Sequence, residues 1–279
     1  MGNQSKEQYA LLTDFDLHTS FSEAFHTLFA NIRFNWETST IEPPSIHTLL
    51  FTSVSEYAEQ SAVAANLAIV AAQSDYKTIL VDADLRSPSL QQRFGLDRSV
   101  GLSDLLEETS ITPQKVSEHL QSTFIPGLQI LTSGTSTSAG AILLLSPKLE
   151  ACMDSIRKVL EQPGNAPGIV IYQSSPVLVG ADASLIGALT EQALLTVVAD
   201  HTTESVRTPT INIHSRPANT HLRHFNFGRC NTAAFTKIRS MHGQYSQGPG
   251  TTRKCAWHRH LSKLTRIGWR RCFTYWCIN

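Results

Sequence analysis

The sequence predicts an α/β fold, a parallel sheet with helices on both faces, and three observations lead there. Apolar runs of strand length recur along the first 200 residues, helical patterns separate one run from the next, and the alternation stops near His201. Strands that alternate with helices need crossover connections, which are right-handed and deliver parallel neighbours.

The elements follow in order. Residues 21–34, FSEAFHTLFANIRF, space Phe21, Phe25, Leu28 and Ile32 at helical intervals, with Ser22 as the candidate cap. Residues 37–45, ETSTIEPPS, read as a Pro-bearing linker. Strands are expected at 48–53, 78–83, 128–132, 168–173 and 193–199, with helices at 60–73, 88–94, 101–121, 146–162 and 180–190. Trp36 is expected to pack the first helix near the linker, and Cys152 to be a small buried hydrophobe. The expected organisation is a helix and linker over 1–45, an α/β domain over 46–200 and a tail over 201–279.

That last boundary is also chemical. The formal net charge of the chain is zero, but residues 1–200 carry 10 Lys+Arg against 22 Asp+Glu. The last 79 residues carry 13 Lys+Arg and one acid, Glu204, together with four of the five cysteines and seven of the eleven histidines. The tail is irregular and basic, with no sustained helical or strand period. Three readings compete for it: a zinc site from Cys255, His258, His260, Cys272 and Cys277, a basic arm for nucleic acid or anionic lipid, or sequence translated in a shifted frame. The first lacks the paired Cys-x-x-Cys spacing of strong zinc motifs. No run approaches the roughly 18 apolar residues of a membrane span. The N-terminus has no apolar signal core, though it fits the loose Met-Gly pattern for myristoylation. One cysteine in the first 200 residues suggests a reducing compartment, so the expected location is cytoplasmic.

Two stretches carry chemistry. LLFTSVSEYAEQSAVAANLAIVAAQ, 49–73, has the strand, loop and helix layout of a phosphate-binding loop, yet its loop lacks both glycine and lysine. ILVDADLRSPSL, 79–90, ends a strand with Asp82 and Asp84. Side chains two apart share a strand face, and open α/β sheets bind ligands beyond the carboxyl ends of their strands. The two acids can therefore converge on one metal or one proton donor. Alternatively Asp84 caps the next turn while Asp82 is solvated.

With these and further blocks in order (SEAFHTLFANIRF, KTILVDADLRSPSLQQRFGL, GLSDLL, PGLQILTSG, IVIYQSSPVLVGADASLIG), the chain from about Ser22 to about Asp200 resembles the cytoplasmic catalytic domain of bacterial tyrosine kinases that govern capsule and exopolysaccharide chain length. These belong to the deviant-Walker branch of P-loop NTPases. The resemblance implies a P-loop-type sheet, ATP and Mg²⁺ as cofactors, and a membrane-embedded polysaccharide chain-length regulator or a kinase paralogue as partner. It assigns catalysis to Asp82 and Asp84, Mg²⁺ to Ser61 and Asp82, and the nucleotide to Ser61, Gln60, Glu59, Arg86 and Gln173. Asp182 matches an aspartate common in the family, with a helix N-cap as its other reading.

The departures are specific. The family loop reads approximately Pro-Gly-Glu-Gly-Lys-Ser, and here EYAEQS puts Tyr57 and Glu59 at the glycines and Gln60 at the lysine. Glycines let backbone N–H groups approach phosphates, and the lysine neutralises phosphate oxygens during transfer. A unit charge at about 4 Å is worth on the order of 4 kcal/mol at an effective dielectric near 20. Losing a cation and gaining Glu59 therefore act in the same direction. Gln173 replaces the aspartate of the third motif. Glu23, His26 and Phe29 stand where the family's first-helix Glu-x-x-Arg-x-x-Arg pattern contributes to self-association, so both arginines are gone. The expectation is a degenerate kinase-like protein with weak or absent phosphotransfer. The alternatives are a non-enzymatic partner of a chain-length regulator and, on the tail alone, a nucleic-acid-binding protein resembling partitioning ATPases.

Overall fold

The computed structural model describes residues 11–14, 19–39, 45–57, 60–97, 100–135, 140–161, 167–198 and 273–278. Seven strands form one sheet: β1 (Ile46–Ser53), β2 (Lys77–Ala83), β3 (Gln121–Ser122), β4 (Leu128–Leu131), β5 (Gly168–Ser174), β6 (Gln192–Val198) and β7 (Phe273–Ile278). Their order is β3-β4-β2-β5-β1-β6-β7. Every pairing is parallel except that of the two-residue edge strand β3. The α/β parallel sheet expected from the sequence is what forms, and each of its five expected strands is present. Two strands, β3 and β7, go beyond those expected, and β7 arises inside the segment read as irregular. Its sequence, FTYWCI, consists largely of β-branched and aromatic residues that favour strands.

The central strands are apolar on both faces because helices cover both. Leu49, Phe51, Leu80, Ile169 and Ile171 enter one core, and Leu50, Ile79, Val81, Val170 and Tyr172 enter the other. The first core lies under α1 (Ser20–Ser39) and α2 (Gln60–Gln73). α2 buries 12 of its 14 residues, so it has no polar face. That composition suits a helix held between the sheet and α1, with Ala and Val allowing close approach. The second core lies under α4 (Leu102–Glu107), α7 (Lys148–Leu160) and α8 (Asp182–Leu189). α7 is amphipathic: Leu149, Cys152, Met153, Ile156 and Leu160 face inward, while Asp154, Arg157, Lys158 and Glu161 pair on the outside. Cys152 is fully buried, and that burial pushes its thiol up to about 12.

Several boundaries differ from expectation. α1 runs to Ser39, through the start of the expected linker, because Trp36 is held by tertiary contacts. Its ring stacks on His47 of β1 at 4.0 Å, and His47 Nδ1 lies 3.0 Å from Glu191. The cap of α1 is Thr19 and not Ser22, since Thr19 Oγ1 accepts the Ser22 N–H at 3.2 Å. The single helix expected over 101–121 is two, α4 and α5 (Pro113–His119). Pro113 takes the first helical position and Thr112 caps it by accepting the Lys115 N–H, so the chain must break before them. The short helices α3 (Leu90–Arg93) and α6 (Gly140–Leu143) complete the set. Among the described residues no helix is long and apolar enough to cross a membrane.

Candidate functional site

β1, β2 and β5 end together, and the polar residues singled out in the sequence gather at those ends. Register sets Asp82 opposite Gln173, and Gln173 opposite Phe51. Asp82, Asp84, Gln60, Ser61 and Gln173 are all buried. Glu59 lies outside the described residues.

On the β1–β5 side the two amides have become partners. Gln60 Nε2 donates to the Ser174 carbonyl at 2.8 Å, and its Oε1 accepts from Ser53 Oγ at 2.9 Å. Gln173 Nε2 reaches the same Ser174 carbonyl at 3.4 Å. The two positions at which the resemblance expects a lysine and an aspartate thus hold neutral amides that share one acceptor. Gln173 Oε1 is buried without a partner. Tyr57 does not fold over this amide pair but directs its hydroxyl to Thr196 Oγ1 of β6, at 3.1 Å.

On the β2 side the carboxylates are engaged by backbone. Asp82 Oδ2 accepts the N–H groups of Ser89 and Leu90, each at 3.1 Å, and Oδ1 accepts that of Asp84 at 3.3 Å. Burial pushes its carboxyl up to about 7, and the Asp84 charge adds to this, against the lowering effect of those N–H donors. Asp84 Oδ1 accepts the Ser87 N–H at 3.1 Å, and burial raises this carboxyl too, with Asp182 and Glu56 adding. Asp84 therefore does cap the following turn, as one reading had it, but Asp82 is enclosed and not solvated.

Arg86 does not reach into the cleft. Its Nε donates to Asp182 Oδ2 at 2.8 Å, and Ser175 Oγ donates to the same oxygen at 2.8 Å. Asp182 is the first residue of α8, whose N-cap is Ala181, so its carboxylate works as an ion-pair partner and not as a cap.

Sequence reasoning missed Arg93. It is the last residue of α3 and buried, and its Nε donates to Ser61 Oγ at 2.5 Å. α3 is consequently fastened at both ends, by Asp82 at Leu90 and by Ser61 at Arg93. The two residues expected to hold Mg²⁺ each hold α3 instead. No signal within QQRF marks that arginine, because its partner lies 32 residues away.

The fit to MgATP can be judged on these contacts. A Mg²⁺ site needs oxygens with free lone pairs in near-octahedral array. Here a guanidinium stands on the Ser61 hydroxyl, and both Asp82 oxygens accept N–H groups. Among the described residues no group of three or more His, Cys, Asp or Glu could hold a metal. In this arrangement the Ser61 hydroxyl already accepts from a cation, and Asp82 has about three of its four lone-pair sites engaged.

No family model matches the chain. It is 30% identical over 181 residues to the tyrosine-protein kinase YwqD of Bacillus subtilis (strain 168), covering 65% of this chain and 70% of that one. It is 34% identical over 136 residues to the putative tyrosine-protein kinase EpsB of Ralstonia solanacearum, matching 49% of this chain but only 17% of that protein. Among solved structures, the chimerical protein CapA2B2 superposes with a TM-score of 0.62 at 26% identity, covering 75% of this chain and 84% of that one. On sequence identity and fold together, the chain belongs to the bacterial tyrosine-protein kinase family.

Proposed function

We propose that this chain is a degenerate member of its family, with weak or no phosphotransfer, serving exopolysaccharide or capsule synthesis. It would act as a regulatory partner of a membrane-embedded polysaccharide chain-length regulator or of an active paralogue. The observation that carries the reading is the shared acceptor of Gln60 and Gln173. Phosphoryl transfer in this branch of P-loop proteins depends on a lysine to neutralise phosphate oxygens and on acids to hold Mg²⁺. An amide at each position supplies hydrogen bonds and no charge. Gln60 is bonded at both ends of its carboxamide, so a nucleotide that displaced it would have to break two buried hydrogen bonds. Asp82 and Asp84 remain as the residual acids, and Ser61 as the residual hydroxyl.

Capsule and exopolysaccharide synthesis comes from the family resemblance, and so does a partner at the inner face of the membrane. A cytoplasmic location, peripheral through that partner, goes with them.

Calorimetric titration of the full chain with MgATP tests the reading, beside a variant carrying Tyr57→Gly, Glu59→Gly and Gln60→Lys. The expected result is no saturable heat for the wild type below millimolar nucleotide. Micromolar MgATP binding by the wild type, with phosphate incorporation into tyrosine, would overturn it.

A further inference from the structure

We infer that Arg93 is the resident cation of this cleft: its guanidinium stands on Ser61 Oγ, where the divalent metal of an intact site would sit, and thereby closes the cleft to divalent metal. This rests on reading the strand ends as a former nucleotide site.

Three features of the structure support it. First, the contact is short and buried: Nε to Oγ is 2.5 Å, with Arg93 9% and Ser61 4% exposed. A guanidinium cannot lose its charge in a protein, so burying one costs free energy unless acceptors meet it. Second, the helix that carries Arg93 is anchored at its other end by Asp82, which fixes where the Arg93 side chain leaves the backbone. Third, the changes form a set. Replacing Lys by Gln at 60 and Asp by Gln at 173 removes one charge of each sign. Arg93 then brings a fixed positive charge to the one hydroxyl that survives. A divalent ion approaching Ser61 meets a guanidinium already seated on the hydroxyl, and Gln173 offers it a single neutral oxygen.

The experiment is Mn²⁺ binding to the full chain without nucleotide, followed by electron paramagnetic resonance into the low-millimolar range. Wild type, Arg93→Met and Arg93→Gln are compared, each also with Ser61→Ala, and circular dichroism establishes which variants fold. The methionine keeps the apolar stem, and the glutamine keeps a donor for Ser61 without the charge, so either folded variant decides. Wild type should show no saturable site. A charge-free variant should gain one, at least tenfold tighter than any wild-type binding and lost again with Ser61→Ala. If wild type binds Mn²⁺ through Ser61, the inference is overturned. It is equally overturned if a folded charge-free variant still excludes the ion, since the exclusion then lies with Gln60 and Gln173. Mn²⁺ binding by the wild type through Ser61, without phosphate incorporation into tyrosine, would overturn this inference and leave the proposed function standing.

Discussion

The two sides of the strand-end cleft have solved the same problem differently. At β1 and β5 the residues are neutral, and Gln60 and Gln173 hydrogen-bond to one carbonyl. At β2 the acids remain, and backbone N–H groups of the following turn hold Asp82 and Asp84. Removing one partner of a buried ion pair leaves an uncompensated charge and costs several kcal/mol, whereas removing both can be nearly neutral. The amide side shows the second course. The acid side shows another way to keep a carboxyl buried: backbone N–H groups meet it, and burial raises its pKa. One side is neutral, and the other holds its carboxyls with backbone N–H groups.

The largest expected effect lies on the acid side. Asp82 is held at about 7 in the fold against an ordinary 3.8. Between those values the folded chain keeps a proton that the unfolded chain has released. Stability therefore falls as pH rises from about 4 to about 7, and this group's share of the loss is complete above about 7. At about 1.4 kcal/mol per unit, the contribution is on the order of 4 kcal/mol. Asp84, also raised, acts in the same direction. The lowered carboxyls, Asp104, Glu108 and Asp154, act oppositely, in the range below their ordinary values. Urea unfolding across that range should show the decline in wild type and a much flatter profile in Asp82→Asn. A wild type that grows more stable from pH 5 to pH 7 would show that its acids are solvated or paired.

The amide side gives a smaller, two-part prediction. Gln60→Lys alone puts an unpaired ammonium beside Gln173 and should cost on the order of 3 kcal/mol in urea unfolding. Gln60→Lys with Gln173→Asp rebuilds an opposite-charge pair and should recover at least about 1 kcal/mol of that loss as a double-mutant coupling. Strict additivity of the two changes would mean that the amides are not neighbours in the sense their shared acceptor implies.

The same contrast marks what could be read from the sequence. β1, β2, β5 and β6 were legible to within two residues because buried parallel strands are continuous apolar runs. α2 was legible because a helix covered on all sides must be small and apolar. The break before α5 carried its own signal, Thr112-Pro113, which the longer periodic pattern concealed. The extension of α1 to Ser39 carried none, since it depends on Trp36 meeting His47. In the site, the replaced residues were visible position by position, as Gln60 and Gln173. Their common carbonyl was not, and neither were Arg93 on Ser61 or Arg86 on Asp182, 96 residues apart. Register and packing bring those pairs together, and no local pattern encodes them.

The smallest effect tests whether the ion pair beside the cleft belongs to the acid side or stands apart. Asp182 is 4% exposed at its side chain and Arg86 41%, so most of the Arg86 charge faces water and contributes little to stability by itself. The buried carboxylate is the sensitive member, and Ser175 Oγ donates its second contact at 2.8 Å. Ser175→Ala removes one hydrogen bond to a charged group and should cost about 1.5 kcal/mol. Arg86→Gln should cost no more than this, because the amide can still donate to Asp182. Neither should flatten the pH profile that Asp82 imposes, since Asp82 receives its hydrogen bonds from Ser89, Leu90 and Asp84. If Ser175→Ala instead flattens that profile, the protonation of Asp82 depends on Asp182 through Asp84, and the cleft titrates as one acidic network running from β2 to α8.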